Sequence, residues 1–204
     1  MLAAFTAGLL FITVQELGDK TFFIAAILAT RHPRRWVFAG AILALAVMTI
    51  ISVLAGQVAG LLPMHYVKAA EVALFLGFGF KLLYEGSRMS GQETLEAEQK
   101  EAAETLEATG ALPLVTPWSI VSKAFTLTFL AEWGDRTQLA TIGLATGYNP
   151  FGITMGATLG HAICAALAVL CGGMVAGRVS EKTLTLIGGG LFILFGLLAA
   201  VNWT

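Results

Sequence analysis

Two six-residue strings constrain this chain more than anything else in it: Glu16-Leu-Gly-Asp-Lys-Thr21 and Glu132-Trp-Gly-Asp-Arg-Thr137. Each reads E-x-G-D-[K/R]-T, and each lies inside a long apolar run. Ionisable side chains are costly in a bilayer core and are found there mainly at functional sites. A chain that places three in each of two apolar runs must pair them or give them a ligand. The copies lie 116 positions apart, at matching places in two halves of the sequence.

The surroundings are those of a membrane protein: 57% hydrophobic residues, 12% charged and a mean hydropathy of +0.80. Apolar runs able to cross about 30 Å of hydrocarbon are expected six times, near 2–29, 36–62, 66–87, 118–146, 151–176 and 182–203. The fold expected is an all-α integral membrane protein of six transmembrane helices. Residues 1–88 form a first three-helix repeat, 89–117 a hydrophilic cytoplasmic linker, and 118–204 a second repeat. The linker carries Glu93, Glu96, Glu98, Glu101, Glu104 and Glu107 around Leu95, Ala102 and Leu106, the spacing of a short surface helix whose acidic face is solvated. A formal net charge of −1 gives no reason to expect a nucleic-acid partner.

Orientation follows from the basic residues. Arg31, Arg34, Arg35, Arg88, Lys100, Lys123, Arg178 and Lys182 gather on one side and Lys68 alone on the other, so both termini are expected outside the cytoplasm. Trp36, Trp118 and Trp203 sit at expected interfaces. The opening Met1-Leu-Ala-Ala-Phe-Thr has no basic leader, and the first motif lies within the first run, so no cleavable segment is expected. Cys164 and Cys171, two helical turns and about 10 Å apart, are too distant for a disulfide.

Adding 116 to a residue number aligns the halves beyond the motifs: Gly40 with Gly156, Ala41 with Ala157 and Gly56 with Gly172. One inserted residue then pairs Leu74-Phe75 and Phe78-Gly79 with Leu191-Phe192 and Phe195-Gly196. Three spans is an odd number, so the second half is expected upside down relative to the first. Inverted-topology repeats with functional groups at their interface are a recurrent plan of secondary transporters.

The chemistry of the motifs points to a cation. Glu16 and Asp19, like Glu132 and Asp135, are i and i+3, which on a continuous helix puts both carboxylates on one face. Gly18 and Gly134 weaken the helix locally, and a break there would free carbonyl oxygens as further ligands. Lys20 and Arg136, at i+4, can pair with their own glutamates. Four carboxylates against these two bases leave two negative charges, which one divalent cation or two protons would neutralise. Glu16, Asp19, Glu132 and Asp135 are therefore the candidate metal and proton ligands, with Gln15, Thr21, Thr137 and Gln138 as supporting oxygen donors. Hard oxygen donors favour Mn²⁺, Ca²⁺ or Mg²⁺ over Zn²⁺. No cofactor is expected beyond the transported ion.

Other polar residues read as structural. His161 has Leu45 at its matching position and is taken as a hydrogen-bonded packing histidine, with ligand or proton relay as the second reading. His32 and His65 lie at span ends, and Glu71 and Glu85 pair locally. Gly152, Gly156 and Gly160, and Gly56 and Gly60, form close-packing ridges of the kind that joins membrane helices.

Two E-x-G-D-[K/R]-[T/S] motifs on the first and fourth of six spans resemble the Gdt-type family of Mn²⁺/Ca²⁺–proton exchangers, which includes Golgi members, plastid manganese transporters and bacterial manganese exporters. The similarity extends to Pro33-Arg-Arg-Trp36, Ala70-Glu-Val-Ala-Leu-Phe75 and Ser180-Glu-Lys-Thr183. It implies that Glu16, Asp19, Glu132 and Asp135 bind the cation and exchange protons, that manganese is the main substrate, and that the chain resides in a bacterial, cyanobacterial-type plasma or thylakoid membrane.

The function expected is a secondary active transporter, not an enzyme. It would export Mn²⁺, with Ca²⁺ as a second candidate, from the cytoplasm against H⁺ by alternating access. The rivals are a metal-dependent lipid-modifying enzyme, which needs catalytic groups near the headgroups, and a passive cation channel, whose flux would ignore ΔpH. Oligomeric state is left open.

Overall fold

Pairs of helices separated by short breaks follow from where proline and glycine fall. A computed structural model describes residues 1–89, 93–108, 116–175 and 181–201, with the side chains of 93–98, 108, 171–175 and 181 left aside. The side chain of Cys171, the residues Arg178 and Trp203, and the stretches 90–92 and 109–115 of the expected linker lie outside this set.

Among the described residues every regular element is an α-helix: α1 (Leu2–Glu16), α2 (Lys20–Arg31), α3 (Arg34–Ala59), α4 (Met64–Arg88), α5 (Glu93–Ala108), α6 (Pro117–Glu132), α7 (Arg136–Gly147), α8 (Pro150–Val175) and α9 (Glu181–Val201). Prolines punctuate the starts. Pro33 and Pro63 are the N-caps of α3 and α4, and Pro117 and Pro150 open α6 and α8, where a missing N–H costs nothing. Thr116 and Ser119 cap α6 reciprocally, and Asn149 Oδ1 accepts from the Gly152 N–H at 3.0 Å.

Two expected spans, 2–29 and 118–146, are each two helices instead of one. The breaks have nearly the same backbone. Gly18 has φ +79° and Gly134 φ +82°, and these are the only left-handed residues described. Leu17 and Trp133 before them are extended (φ −68° and −67°, both ψ 114°), as are Asp19 and Asp135 after them. A left-handed residue cannot continue a right-handed helix, so α1 and α2 meet at 66°.

Three helical segments (Arg34–Ala59, Pro150–Leu170 and Lys182–Val201) and the bent pair α1 with α2 are long and apolar enough to cross a membrane. In α4, where a span was also expected, Lys68, Glu71, Lys81 and Glu85 interrupt the apolar run. The pair α6 and α7 carries Lys123 and the second motif's charges.

The halves pack reciprocally. α1 and α2 lie against α8 of the second half, while α6 and α7 lie against α3 of the first, and α4 lies along α9. The correspondence reaches single residues. Gly40 of α3 sits on the Val121 carbonyl of α6, and Gly156 of α8 sits on the Phe5 carbonyl of α1. Both pairs obey the offset of 116. A side chain at either glycine would collide with backbone. Gly152 and Gly160 also face α1 and Gly56 faces α7, but Gly60 meets only atoms of its own helix.

Two buried clusters flank the breaks. One gathers Phe11, Phe75, Leu144, Phe192 and Phe195 among others, with the Phe11 and Phe192 rings edge to face at 4.7 Å. The other gathers Phe22, Leu28, Val37, Leu127 and Ala102, the last contributed by α5. The linker helix is therefore docked on α2 through an apolar residue, and it is not simply a solvated strip.

Basic residues crowd the end of α2. His32 there is held below its ordinary pKa by partial burial and by Lys123 and Arg31.

Candidate functional site

The two chain breaks bring residues 116 positions apart to one place. Glu16 is the last residue of α1 and Glu132 the last of α6. Both are buried, at 2% exposure each. Asp19 and Asp135 begin the next helices as N-caps. The i, i+3 helical face expected for each glutamate–aspartate pair does not exist, because the positive-φ glycine redirects the chain between them. Convergence is achieved across the halves instead. One carboxylate oxygen from each of Glu16, Asp19 and Glu132 lies within 4.8 Å of the other two. Asp135 and His161 are outside this trio. Asp135 Oδ2 accepts from the Thr137 N–H at 3.4 Å and shares the Thr137 hydroxyl, 3.2 Å away, with Glu132, holding the start of α7.

The threonines act alike in both motifs. Thr21 Oγ1 donates to Glu16 Oε2 and Thr137 Oγ1 to Glu132 Oε2, each at 3.1 Å. That leaves the second oxygen of each glutamate, Oε1, buried without a hydrogen-bond partner among the described residues. Buried carboxylate oxygens are ordinarily satisfied, so two such atoms in one cluster could hold a cation or a proton.

The basic residues do not pair as the sequence suggested. Lys20 Nζ reaches Glu101 Oε1 of α5 at 2.6 Å, and Arg136 Nη2 reaches Asp19 Oδ1 of the other motif at 3.1 Å. The break again explains this: the helical register that would bring Lys20 back over Glu16 is lost at Gly18. Only the acidic spacing of the linker hinted at Glu101, and that spacing does not indicate which acid faces α2.

The supporting glutamines differ between halves. Gln138 Oε1 accepts from the Gly134 N–H at 2.7 Å and its Nε2 points to Met48 Sδ at 3.0 Å, so it braces the second break. Gln15 is buried beside Gly188 of α9. Its Nε2 has no partner among the described residues.

His161 was expected to be hydrogen-bonded packing. It is buried, but its Nδ1 has no hydrogen-bond partner among the described residues and lies 3.9 Å from Glu16 Oε1. Position in the helix could not reveal this, since the contact depends on how α8 crosses α1. Glu71 pairs locally as expected, with Lys68 at 2.9 Å, and Glu85 with Lys81 at 3.8 Å.

A small cleft lined by Gln15, Gly18, Asp19, Arg136, Leu184 and Thr185 lies beside Asp19 of the site. In the other direction along α1 stands the Phe11, Phe75, Phe192 and Phe195 cluster.

Comparison with known proteins identifies the family. The family model described as divalent cation/proton antiporter GDT1 matches residues 4–90 and 120–204, which include both motifs. A GDT1-like protein of Synechocystis sp. is 58% identical, covering 100% of this chain and 98% of its own. GDT1-like protein 4 of Oryza sativa subsp. indica is 44% identical over 95% of this chain and 72% of its own. GDT1-like protein 5 of Arabidopsis thaliana is 39% identical over 97% and 95%. No solved structure matches. The family match over residues 4–90 and 120–204, and similarity to these relatives over at least 95% of the chain, show that the chain belongs to the GDT1 family of divalent cation/proton antiporters.

Proposed function

We propose that the protein exports Mn²⁺ from the cytoplasm in exchange for H⁺, with Ca²⁺ as a competing substrate, at a site built from Glu16, Asp19 and Glu132. The observation that carries this reading is the convergence of those three carboxylates from both halves, within 4.8 Å of one another. Crowded carboxylates away from water need compensating positive charge. A divalent cation and protons are alternative ways of supplying it to the same oxygens, and that exclusivity is what an exchanger requires.

The layout that fits is a six-span inverted repeat with α1 plus α2 and α6 plus α7 as broken spans, both termini non-cytoplasmic and α5 cytoplasmic. The reciprocal packing of Gly40 on Val121 and Gly156 on Phe5 supports it. So does the basic cluster at Arg31, Arg34, Arg35 and Lys123, on the side that positive charge marks as cytoplasmic. In this orientation the cleft beside Asp19 opens inward and the phenylalanine cluster closes the outward path. Rocking of one half against the other would reverse the two, the usual route to alternating access in repeat-built transporters. Asp135 then acts on the geometry of α7 and on the local charge, and enters the coordinating set only in another state.

The test is transport by the purified protein in liposomes, reading Mn²⁺ and internal pH together. Mn²⁺ movement that drives opposite H⁺ movement, and follows an imposed ΔpH, is the expected result. Mn²⁺ flux indifferent to ΔpH would replace the exchanger with a channel.

A further inference from the structure

Every candidate ligand atom in the motifs is an oxygen, yet a ring nitrogen stands 3.9 Å from the open side of Glu16. His161 lies in the middle of α8, 5% exposed, with Nδ1 3.9 Å from Glu16 Oε1. Neither atom has a hydrogen-bond partner among the described residues. The other Glu16 oxygen is already engaged by Thr21, so Oε1 is the one available to a ligand, and it is the one that faces the ring. A histidine buried for packing alone would be expected to satisfy both nitrogens. The gap is too long for a hydrogen bond. It suits a shared ion: two donors each about 2.1 Å from a cation stand no more than about 4.2 Å apart.

The internal repeat sharpens the point. The position matching His161 is Leu45, buried in α3 at 4% exposure. Glu132, the symmetry counterpart of Glu16, has the same orphaned Oε1. The two glutamates are thus alike in their threonine bonds and their free oxygens, while the matching position is imidazole in one half and aliphatic in the other.

We propose that His161 Nδ1 is a ligand to the transported cation together with Glu16 Oε1, and that this nitrogen makes the site select first-row transition-metal dications over Ca²⁺ and Mg²⁺. The proposal rests on the exchanger reading above and names the substrate class of that site. The chemical basis is the donor atom. Ca²⁺ and Mg²⁺ are held almost wholly by oxygen, whereas imidazole adds affinity for transition metals in the Irving–Williams order. An all-oxygen trio would separate Mn²⁺ from Ca²⁺ poorly; one nitrogen among the oxygens separates them by chemistry as well as by size.

The experiment is pulsed electron paramagnetic resonance of Mn²⁺ added to the tag-free protein in imidazole-free buffer, alongside competition of Mn²⁺ binding by Ca²⁺. The wild-type protein should show ¹⁴N modulation of the Mn²⁺ signal from a coordinated imidazole. His161→Leu, which makes the two halves alike at this position, should abolish the modulation. It should also lower the preference for Mn²⁺ over Ca²⁺ on the order of tenfold or more, with Ca²⁺ affinity nearly unchanged. His161→Gln, which keeps a polar side chain if leucine unfolds the protein, should lose the modulation and shift preference the same way. Mn²⁺ bound by the wild type without ¹⁴N modulation, or a preference unchanged in both variants, would overturn the ligand while leaving the exchanger reading intact. Failure of the wild type to bind Mn²⁺ at all would overturn both.

Discussion

Arg136 of the second motif holds Asp19 of the first, Nη2 to Oδ1 at 3.1 Å across 117 positions of sequence. The second motif's cation thus belongs to the first motif's acid, and the two halves are clasped at the site itself. In an exchanger such a clasp competes with the metal for Asp19.

Arg136→Gln should therefore loosen the metal-free protein and increase its response to Mn²⁺. The guanidinium is 30% exposed, so solvent screening limits the loss to about 1 kcal/mol. Thermal unfolding in detergent, with and without Mn²⁺, reads both effects. A Mn²⁺-induced rise in Tm no larger than in the wild type would count against competition between Arg136 and the metal.

The four motif acids should not be equivalent. Glu16→Gln, Glu132→Gln and Asp19→Asn each remove a member of the trio. Losing a ligand should cost at least what losing an outer partner does, about 10–100-fold in metal affinity. Asp135→Asn should be milder, because asparagine caps a helix as well as aspartate and can still accept from the Thr137 N–H. Calorimetric Mn²⁺ titration of the four variants gives the ranking, and an Asp135→Asn loss as deep as the glutamate variants would place Asp135 in the coordinating set.

Gly134 offers a test of backbone conformation free of crowding, since a Cβ there would meet nothing within 4 Å. At φ +82° alanine should cost about 1–2 kcal/mol. Gly77→Ala is the control: it is helical, also with nothing within 4 Å, and there alanine should stabilise by up to about 1 kcal/mol. Opposite signs in denaturant or thermal unfolding are expected; the same sign for both would remove the positive-φ account of the break.

The docking of α5 should depend on salt. Lys20 and Glu101 are 2.6 Å apart but 25% and 57% exposed, so a double-mutant cycle with Lys20→Gln and Glu101→Gln should give no more than about 1 kcal/mol of coupling. The coupling should weaken clearly near 1 M salt, where the screening length shrinks to about 3 Å, close to the pair's own separation. What survives would be the apolar contact of the fully buried Ala102. Coupling insensitive to salt would show that the pair is more shielded than its exposure implies.

Much of the site was legible because its residues are chemically out of place. A carboxylate in an apolar run is conspicuous in one dimension, and its repetition 116 positions later fixed Glu16, Asp19, Glu132 and Asp135 as the candidates. The reciprocal glycines were legible for the same reason: Gly40 and Gly156 align by simple offset, and small residues in membrane helices usually mark close packing. Pairings were not legible. Lys20 and Arg136 occupy equivalent motif positions, yet one faces α5 and the other faces Asp19, because the break at each glycine cancels the i, i+4 relation on which the expected pairs depended.

The sequence by itself determined the helical, apolar character of the chain, its duplication and the identity of the acids, since these follow from hydropathy, spacing and composition. Tertiary structure alone decided which three acids meet, which base clasps which acid, and that the His161 ring stands 3.9 Å from Glu16. The physical reason is that all of these are relations between helices far apart in the chain. They are set by the left-handed turn at Gly18 and Gly134 and by the crossing of α8 over α1, and no local periodicity records either.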